Sequence, residues 1–242
     1  MYNPSSPEEI RKKLRFRGRY DFCLAIPDPK ESSNPDTRRR FYSSIETALE
    51  GIGNGKLFVP HRNSGRRSSE KLSEVLCGVV VPESKLVFCL YPVYSDMPGK
   101  MVQKAYSCNI PVLFLTPEGF PAKANHRDRD DSAEIKRVSN RLRHYEEILG
   151  KSELEIREML HEEYLDGGEI YVPMLRGKYD VLEFDPKDLD RLTEDLRGYL
   201  LINYERFFGS ELPEELAQEL LSLRLLTRQS SSGEMRGKKK KR

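Results

Sequence analysis

The chain has 242 residues, of which 37% are hydrophobic and 33% charged, with a mean hydropathy of -0.66 and a formal net charge of +2. This length accommodates one sizeable α/β domain with additions. No apolar run approaches the roughly 20 residues that a membrane-spanning helix needs. The N-terminal residues also lack the apolar core of a signal peptide, so we expect a cytoplasmic protein without membrane contact.

Basic residues are concentrated at the C-terminus. Residues 228–242 hold seven Lys/Arg and one Glu, a net charge of +6. The rest of the chain therefore carries 34 basic against 38 acidic residues, a net charge of −4. This mildly acidic body disfavours a broad nucleic-acid-binding face, whereas the Ser/Gly-rich basic tail is typical of a disordered segment. Within the tail, residues 236–242 could contact nucleic acid or serve only solubility, and both interpretations stay open.

Cysteine usage predicts neither a disulfide framework nor a metal site. Cys23, Cys77, Cys89 and Cys108 are isolated, and no CxxC pair is present. They are expected to be reduced thiols of the core. Neither the cysteines nor the histidines have the spacing of metal ligands, so we expect no metal and no cofactor.

The first part of the chain alternates helices with short apolar strands. Residues 1–18 predict a basic helix that starts at Ser6-Pro7, where a hydroxyl cap precedes a proline. "YDFCLAIP" (20–27) predicts a buried strand. Asn34-Pro35 then opens a helix, and "KLFVPHR" (56–62) predicts a second strand.

The alternation continues through residue 115. A helix ended by Gly78 precedes the third strand, "KLVFCLYP" (85–92), whose continuous apolar pattern indicates burial on both faces. A further helix (about 98–108) leads into the fourth strand, "IPVLFL" (110–115). Strands that alternate with helices in this way predict a parallel sheet covered by helices on both faces.

The second part of the chain interrupts this pattern and then resumes it. Residues 123–176 predict an α-helical insertion, and a last strand and helix follow it, so that one domain extends over 19–209. A C-terminal helix is expected in 210–227, with leucines at core spacing at Leu212, Leu216, Leu220 and Leu223. Residues 228–242 form the tail.

Several motifs resemble the nucleoside 2-deoxyribosyltransferase superfamily. "DFCLAIPDP" (21–29) resembles its first strand and substrate loop. "LVFCLYP" (86–92) and "DMPGKMVQKAYSCNIPVLFL" (96–115) resemble its third strand, glycine turn, catalytic helix and fourth strand, and "YDVLEFDPKDLDRL" (179–192) resembles its closing strand and helix. The resemblance covers residues 20–119 and 177–208.

The resemblance implies a flavodoxin-like three-layer fold and cleavage or transfer of an N-glycosidic bond. In that superfamily a glutamate on the helix after the glycine turn attacks the sugar, and Gln103 occupies this position here. A neutral amide cannot form the glycosyl ester, so we expect weak, altered or absent activity unless Asp96 replaces the carboxylate. Asp96 is also suited to a purely structural role at a helix N-terminus.

The same resemblance implies where a ligand would lie. Cys23, Pro27 and Asp28 belong to the first motif, and Gly99 forms the glycine turn; the superfamily's motif has a tyrosine where this chain has Cys23.

Further residues are ligand candidates because of their chemistry. One of Arg38, Arg39 and Arg40 would bind a 5′-phosphate, helped by amides of the preceding loop and of the nearby helix N-terminus. His61 and Arg62 would line the same pocket edge, and Tyr91 would stack on a base. Solvated arginines, an exposed histidine and a strand-end packing tyrosine are the alternatives, and they stay open.

The sequence therefore predicts a nucleoside- or nucleotide-binding protein with impaired glycosidase or transferase chemistry, with homo-oligomerisation as an open possibility. The alternative is a non-enzymatic scaffold or regulatory protein. Such a protein would use the helical insertion for oligomer or partner contacts and the basic tail for nucleic acid.

Overall fold

The computed structural model describes residues 6–26, 34–63, 69–90, 96–117, 147–148 and 179–223. The strands in chain order are β1 (Phe22–Ala25), β2 (Leu57–Phe58), β3 (Leu86–Leu90), β4 (Val112–Pro117) and β5 (Tyr179–Phe184). The helices are α1 (Pro7–Leu14), α2 (Pro35–Ala48), α3 (Pro60–Asn63), α4 (Ser69–Val75), α5 (Val81–Glu83), α6 (Asp96–Ser107), α7 (Leu189–Ile202), α8 (Tyr204–Phe208) and α9 (214–223). Of the predicted insertion, only residues 147–148 are described, and they are helical.

The five strands form one parallel sheet in the order β2-β1-β3-β4-β5. This is the flavodoxin-like order, in which the chain changes direction across the sheet between β1 and β3. The predicted α/β fold with a parallel sheet and helices on both faces is therefore confirmed.

Alternating side chains divide the core into two layers. Cys23 and Ala25 of β1 pack in one cluster with Cys89 of β3, and residues of α1, α4 and α6 complete this cluster. Successive residues of a strand point to opposite faces, so Phe22 and Phe88, whose rings stack at 5.9 Å, belong to the other face. There Phe41 of α2 stacks on Phe184 of β5 at 5.9 Å. Helices α2 and α6 thus cover opposite faces of the sheet.

Both predicted helix starts are confirmed by their caps. The Ser6 hydroxyl accepts from the Glu9 amide, and the Glu9 carboxylate accepts from the Ser6 amide, which completes a capping box. The Asn34 side chain accepts from the amides of Asp36 and Thr37 at the start of α2. Helix α1 also contributes Ile10 to the core, so it belongs to the layer that covers the sheet.

The predicted helix end at Gly78 is wrong. Helix α4 continues through a π-helical turn (Leu76–Val80) into α5, and Gly78 lies inside that turn. A Cβ atom at Gly78 would lie 2.4 Å from Cδ1 of Ile10. The glycine therefore permits the close packing of α1 against this helix and does not end it.

Contacts divide the chain into two units, residues 1–193 and 194–242, and the division falls within α7. In the second unit the Arg197 guanidinium pairs with the Glu219 carboxylate through two contacts, and the longer one, from Nη2 to Oε2, measures 2.8 Å. This hydrogen bond lowers the pKa of Glu219 below its usual value. Tyr204 stacks on Phe208 with ring centroids 4.6 Å apart.

The leucine pattern of the C-terminal helix does not produce a buried face. Leu212, Leu216, Leu220 and Leu223 are only half-buried, and Leu221 is 60% exposed. Helical spacing was a correct indication of α9, but not of burial, because burial also requires a partner surface. Residues 224–242, including the predicted tail, lie outside the described residues.

Burial of two thiols predicts a loss of stability at alkaline pH. Desolvation raises the pKa of both Cys23 and Cys89 above the ordinary value. Each thiol therefore ionises first in the unfolded chain, and its contribution to stability, complete below about pH 8.5, declines above that pH. We expect the free energy of unfolding to fall by about 1.4 kcal/mol per pH unit and per thiol, measured by urea denaturation between about pH 8.5 and 10.

The control is the variant Cys23→Ala/Cys89→Ala. It should be less stable at neutral pH because it leaves a cavity, but its stability should depend less on pH over the same range. If the free energy of unfolding depended on pH identically in both proteins, the effect could not be assigned to these two thiols.

Candidate functional site

A cavity of about 480 Å³ opens beside α2 and α3 in the first unit. Helix α2 follows the carboxyl end of β1, and α3 follows that of β2, the strand at one edge of the sheet. Ligands of open α/β sheets bind outside the carboxyl ends of the strands. The lining residues are Pro35, Arg38, Arg39, Tyr42, Ser43, Glu46, His61 and Arg62.

Helix α2 supplies one wall through residues four positions apart. Arg38, Tyr42 and Glu46 lie along one side of the helix because this spacing returns to nearly the same face. Phe41 and Ile45, one position away, are fully buried. The helix thus presents the core residues and the cavity wall on adjoining faces.

Arg38 is held in a fixed position at the buried end of this wall. Its side chain is 3% exposed, and its Nε donates to the carbonyl oxygen of Ile148 at 2.6 Å. The neighbouring Thr37 hydroxyl donates to the Glu147 carboxylate, also at 2.6 Å. These contacts tie the described part of the predicted insertion to the first turns of α2.

Helix α3 supplies the facing wall. The His61 ring lies 5.2 Å from the Tyr42 ring at an interplanar angle of 44°. Arg62 pairs with Glu46 at 3.0 Å, and its guanidinium carbon lies 5.6 Å from the Tyr42 ring centroid. A short helix after β2 therefore orients an imidazole and a guanidinium towards α2. The sequence predicts that the strand continues to residue 62, which is wrong, because β2 ends at Phe58.

The charge of the lining favours an anion. Three guanidinium groups, from Arg38, Arg39 and Arg62, line the cavity, against the single carboxylate of Glu46. Arg39 is largely exposed and lies 3.5 Å from Asp36, a weak surface pair. Its side chain can reorient towards a ligand at little cost in free energy.

The expected contribution of helix amides to anion binding is not found at α2. Asn34 caps the amides of Asp36 and Thr37, Pro35 has no N–H, and the Arg38 amide donates to the Asn34 carbonyl. The amide donors of the first turn are therefore already used. An anion in this cavity would be recognised by side chains.

The α6 candidates lie on the other face of the sheet. Gln103 is exposed on the side of α6 opposite Met101 and Ala105, which are fully buried. Helix α6 begins at Asp96, so Gln103 ends its second turn, about 10 Å along the axis from Asp96. Gly99 lies inside the first turn and not in a separate glycine turn, and nothing lies within 4 Å of the place a Cβ would occupy.

The remaining predicted residues divide into two groups. Cys23 is fully buried in the core, and burial raises the pKa of its thiol, which makes it a core residue and not a ligand contact. Pro27, Asp28 and Tyr91 lie outside the described residues, as does the side chain of Asp96. The structure thus brings together Arg38, Arg39 and His61.

Two lining residues had a sequence signal that was not used. Tyr42 and Glu46 follow Arg38 at intervals of four, which places all three on one side of a helix. Arg62 was expected beside His61 at the pocket edge, and it does line the cavity. The missing information was the position of α3, because a two-residue strand followed by a four-residue helix has no hydrophobic periodicity.

Two further observations concern the described ranges. No group of three or more His, Cys, Asp or Glu side chains there is arranged to hold a metal ion. None of the helices in these ranges combines the length and apolar character needed to cross a bilayer.

Comparison with known proteins finds no matching family model, no matching curated protein and no matching solved structure. The resemblance to the nucleoside 2-deoxyribosyltransferase superfamily therefore depends on the short motifs alone.

Proposed function

We propose that this protein binds a nucleotide, through its phosphate, in the cavity between α2 and α3. The observation that carries the proposal is the convergence of Arg38, Arg39 and His61 on one cavity. These residues come from two elements separated by a strand, and each was a ligand candidate because of its chemistry. The volume of about 480 Å³ lies within the range of small-molecule sites.

Charge and rigidity support phosphate as the recognised group. Guanidinium groups form charge-assisted, paired hydrogen bonds with phosphate oxygens. Arg38 is held by the Ile148 carbonyl, so its orientation is set before a ligand arrives. Arg39 and Arg62 are more exposed and can close on the ligand, although Arg62 must exchange its contact with Glu46.

The aromatic pair supports a nucleoside attached to that phosphate. The Tyr42 and His61 rings lie 5.2 Å apart on facing walls of the cavity, and Arg62 lies over the tyrosine ring. A ligand that combines a planar ring with an anion matches this arrangement of aromatic and cationic groups.

Cleavage or transfer of an N-glycosidic bond is proposed to be weak or absent. The superfamily's nucleophile position holds Gln103, which is exposed to water on α6. It also lies across the sheet from the α2 cavity. A carboxylate that attacks or shields an anomeric carbon needs both a negative charge and a site that excludes water, and Gln103 has neither.

The scaffold alternative receives less support from the described residues. Glu147 and Ile148, the described part of the insertion, contact α2 of the same chain. The cytoplasmic location, a homo-oligomer and a nucleic-acid contact through residues 236–242 stay predictions.

Nucleotide binding is tested first by thermal shift with deoxynucleoside 5′-monophosphates and the matching nucleosides. At saturating concentrations we expect the monophosphates to raise the Tm by about 5–10 °C, because a ligand that prefers the folded state stabilises it. The nucleosides should have a smaller effect, since they lack the phosphate. The absence of any shift with all monophosphates would contradict the proposal.

Substitution of an arginine then locates the site. Arg39→Gln should weaken monophosphate binding by about 10-fold or more in calorimetry, because it removes a charge-assisted hydrogen bond. The matched control is Arg40→Gln, which removes the same charge from the next exposed residue of α2 outside the cavity lining. Equal effects of the two substitutions would show that only the general charge matters, and would exclude this cavity.

Restoring the carboxylate tests the catalytic part of the proposal. Because Gln103 is exposed and distant from the cavity, Gln103→Glu should leave the release of base from deoxynucleosides and their monophosphates at background. It should also change the free energy of unfolding by no more than about 0.5 kcal/mol. Measurable base release by the variant would show that a catalytic pocket persists above α6, in contradiction to our proposal.

A further inference from the structure

Residues 11–19, from the last turn of α1 towards β1, form the most basic segment of the described chain. They include six basic residues and no acidic one. Arg11 pairs with Glu83, and Lys13 pairs with Glu74. The other four, Lys12, Arg15, Arg17 and Arg19, are exposed, and we call them the basic row. Among the described residues, no carboxylate forms an ion pair with any of them.

Alternation holds the three arginines of the row outward. Phe16, between Arg15 and Arg17, is buried, and Tyr20, after Arg19, is half-buried. Both rings pack on Phe58 of β2, with centroids 6.0 and 5.0 Å from it. Arg15 is the C-cap of α1 and has a left-handed backbone (φ 50°, ψ 39°), so the alternation of buried and exposed residues indicates an extended chain only after it. Arg17 and Arg19 are therefore about 7 Å apart along the backbone.

Arg11 fixes the backbone of this segment. Its Nη1 donates to the carbonyl oxygens of Gly18 at 2.6 Å and Phe16 at 3.4 Å, while its other nitrogens bind Glu83. Carbonyls two residues apart point to the same side of an extended chain, so one guanidinium can bind both. Gly18 completes the arrangement, because a Cβ there would lie 2.3 Å from the Tyr20 ring.

Four exposed cations on one segment of nine residues fit a polymer that presents many anions. Guanidinium groups bind phosphate oxygens in pairs, and a phosphodiester backbone presents one phosphate per nucleotide. We propose that the basic row is a binding site for the phosphate backbone of nucleic acid.

The chemistry of the segment distinguishes this ligand from others. An anionic bilayer would also attract the charges, but stable association with it uses outward apolar side chains, and Phe16 and Tyr20 point inward. The same orientation leaves no aromatic ring free to stack on bases, so binding should be independent of nucleotide sequence.

The site is separate from the proposed nucleotide cavity. Phe16 and Tyr20 pack in the core cluster of α1, α4 and α6, whereas the cavity is lined by α2, on the other face of the sheet, and by α3. The basic row has four cations on one short segment, so it is compatible with the net charge of −4 outside the tail. Failure of one proposal leaves the other unaffected.

The test measures how binding depends on salt. Full-length protein, with Lys238–Lys241 replaced by glutamine to reduce the tail's contribution, is titrated onto labelled single-stranded DNA of about 20 nucleotides at about 50–200 mM salt. The row variant is Arg15→Asn/Arg17→Gln/Arg19→Gln; asparagine is used because Arg15 has a φ of 50°. The slope of log K against log salt should decrease in magnitude by about 2, since three phosphate contacts are lost.

Two matched variants decide what the result means. Lys85→Gln/Lys100→Gln/Lys187→Gln removes the same charge from exposed, scattered positions and should keep the original slope. Arg15→Lys/Arg17→Lys/Arg19→Lys keeps the charge and should keep most of the slope. An unchanged slope in the row variant, or equal changes in the row and scattered variants, would overturn the proposal.

Binding to lipid vesicles tests an anionic membrane as the alternative ligand. The same proteins are sedimented with vesicles that contain anionic phosphatidylserine. Loss of vesicle binding by the row variant, with unchanged binding to DNA, would overturn the proposal in favour of a membrane surface. A row variant that binds both ligands as the parent does would overturn it as well, and thermal unfolding confirms that each variant is folded.

Discussion

Burial of the central strands on both faces is the constraint on which the structure depends. β1 and β3 carry apolar side chains at every position, all of them buried, so neither face of the sheet can meet water. Parallel strands also need long crossover connections, and helices supply them. The chain therefore places α2 on one face and α1, α4 and α6 on the other, and every functional side chain belongs to one of these two sides.

Because of this division, candidate functional residues that are close in the chain lie on different surfaces of the protein. The proposed nucleotide cavity combines the outward side of α2 with α3, and its arginines surround a tyrosine–histidine pair. On the other face, α6 presents Gln103 to solvent, and the segment after α1 presents the basic row. The proposed binding of a small anion, the proposed binding of a polyanion and the position that resembles a glycosidase nucleophile are thus assigned to different surfaces.

Two glycines and two arginines set details of the packing that the apolar pattern alone does not specify. Gly78 permits Ile10 to approach the π-helical turn, and Gly18 makes room for the Tyr20 ring. Arg11, which is half-buried, and Arg38, which is buried, act alike: each donates to a backbone carbonyl oxygen outside its own helix. A buried charge is costly unless it is hydrogen-bonded, so such residues hold one particular arrangement of the chain. Both proposed binding surfaces depend on one of them.

The sequence by itself determined most of the strands and helices and the parallel sheet between two helix layers, because strand burial, caps at Ser6 and Asn34, and the alternation of strands with helices are local signals. It also indicated Arg38, Arg39 and His61 by their chemistry. Tertiary structure alone decided that these three meet, that Cys23 is a core residue, that Gln103 faces water, and that the leucines of α9 are only half-buried. Each of these outcomes depends on which surface packs against which, and spacing along one segment carries no information about its partner.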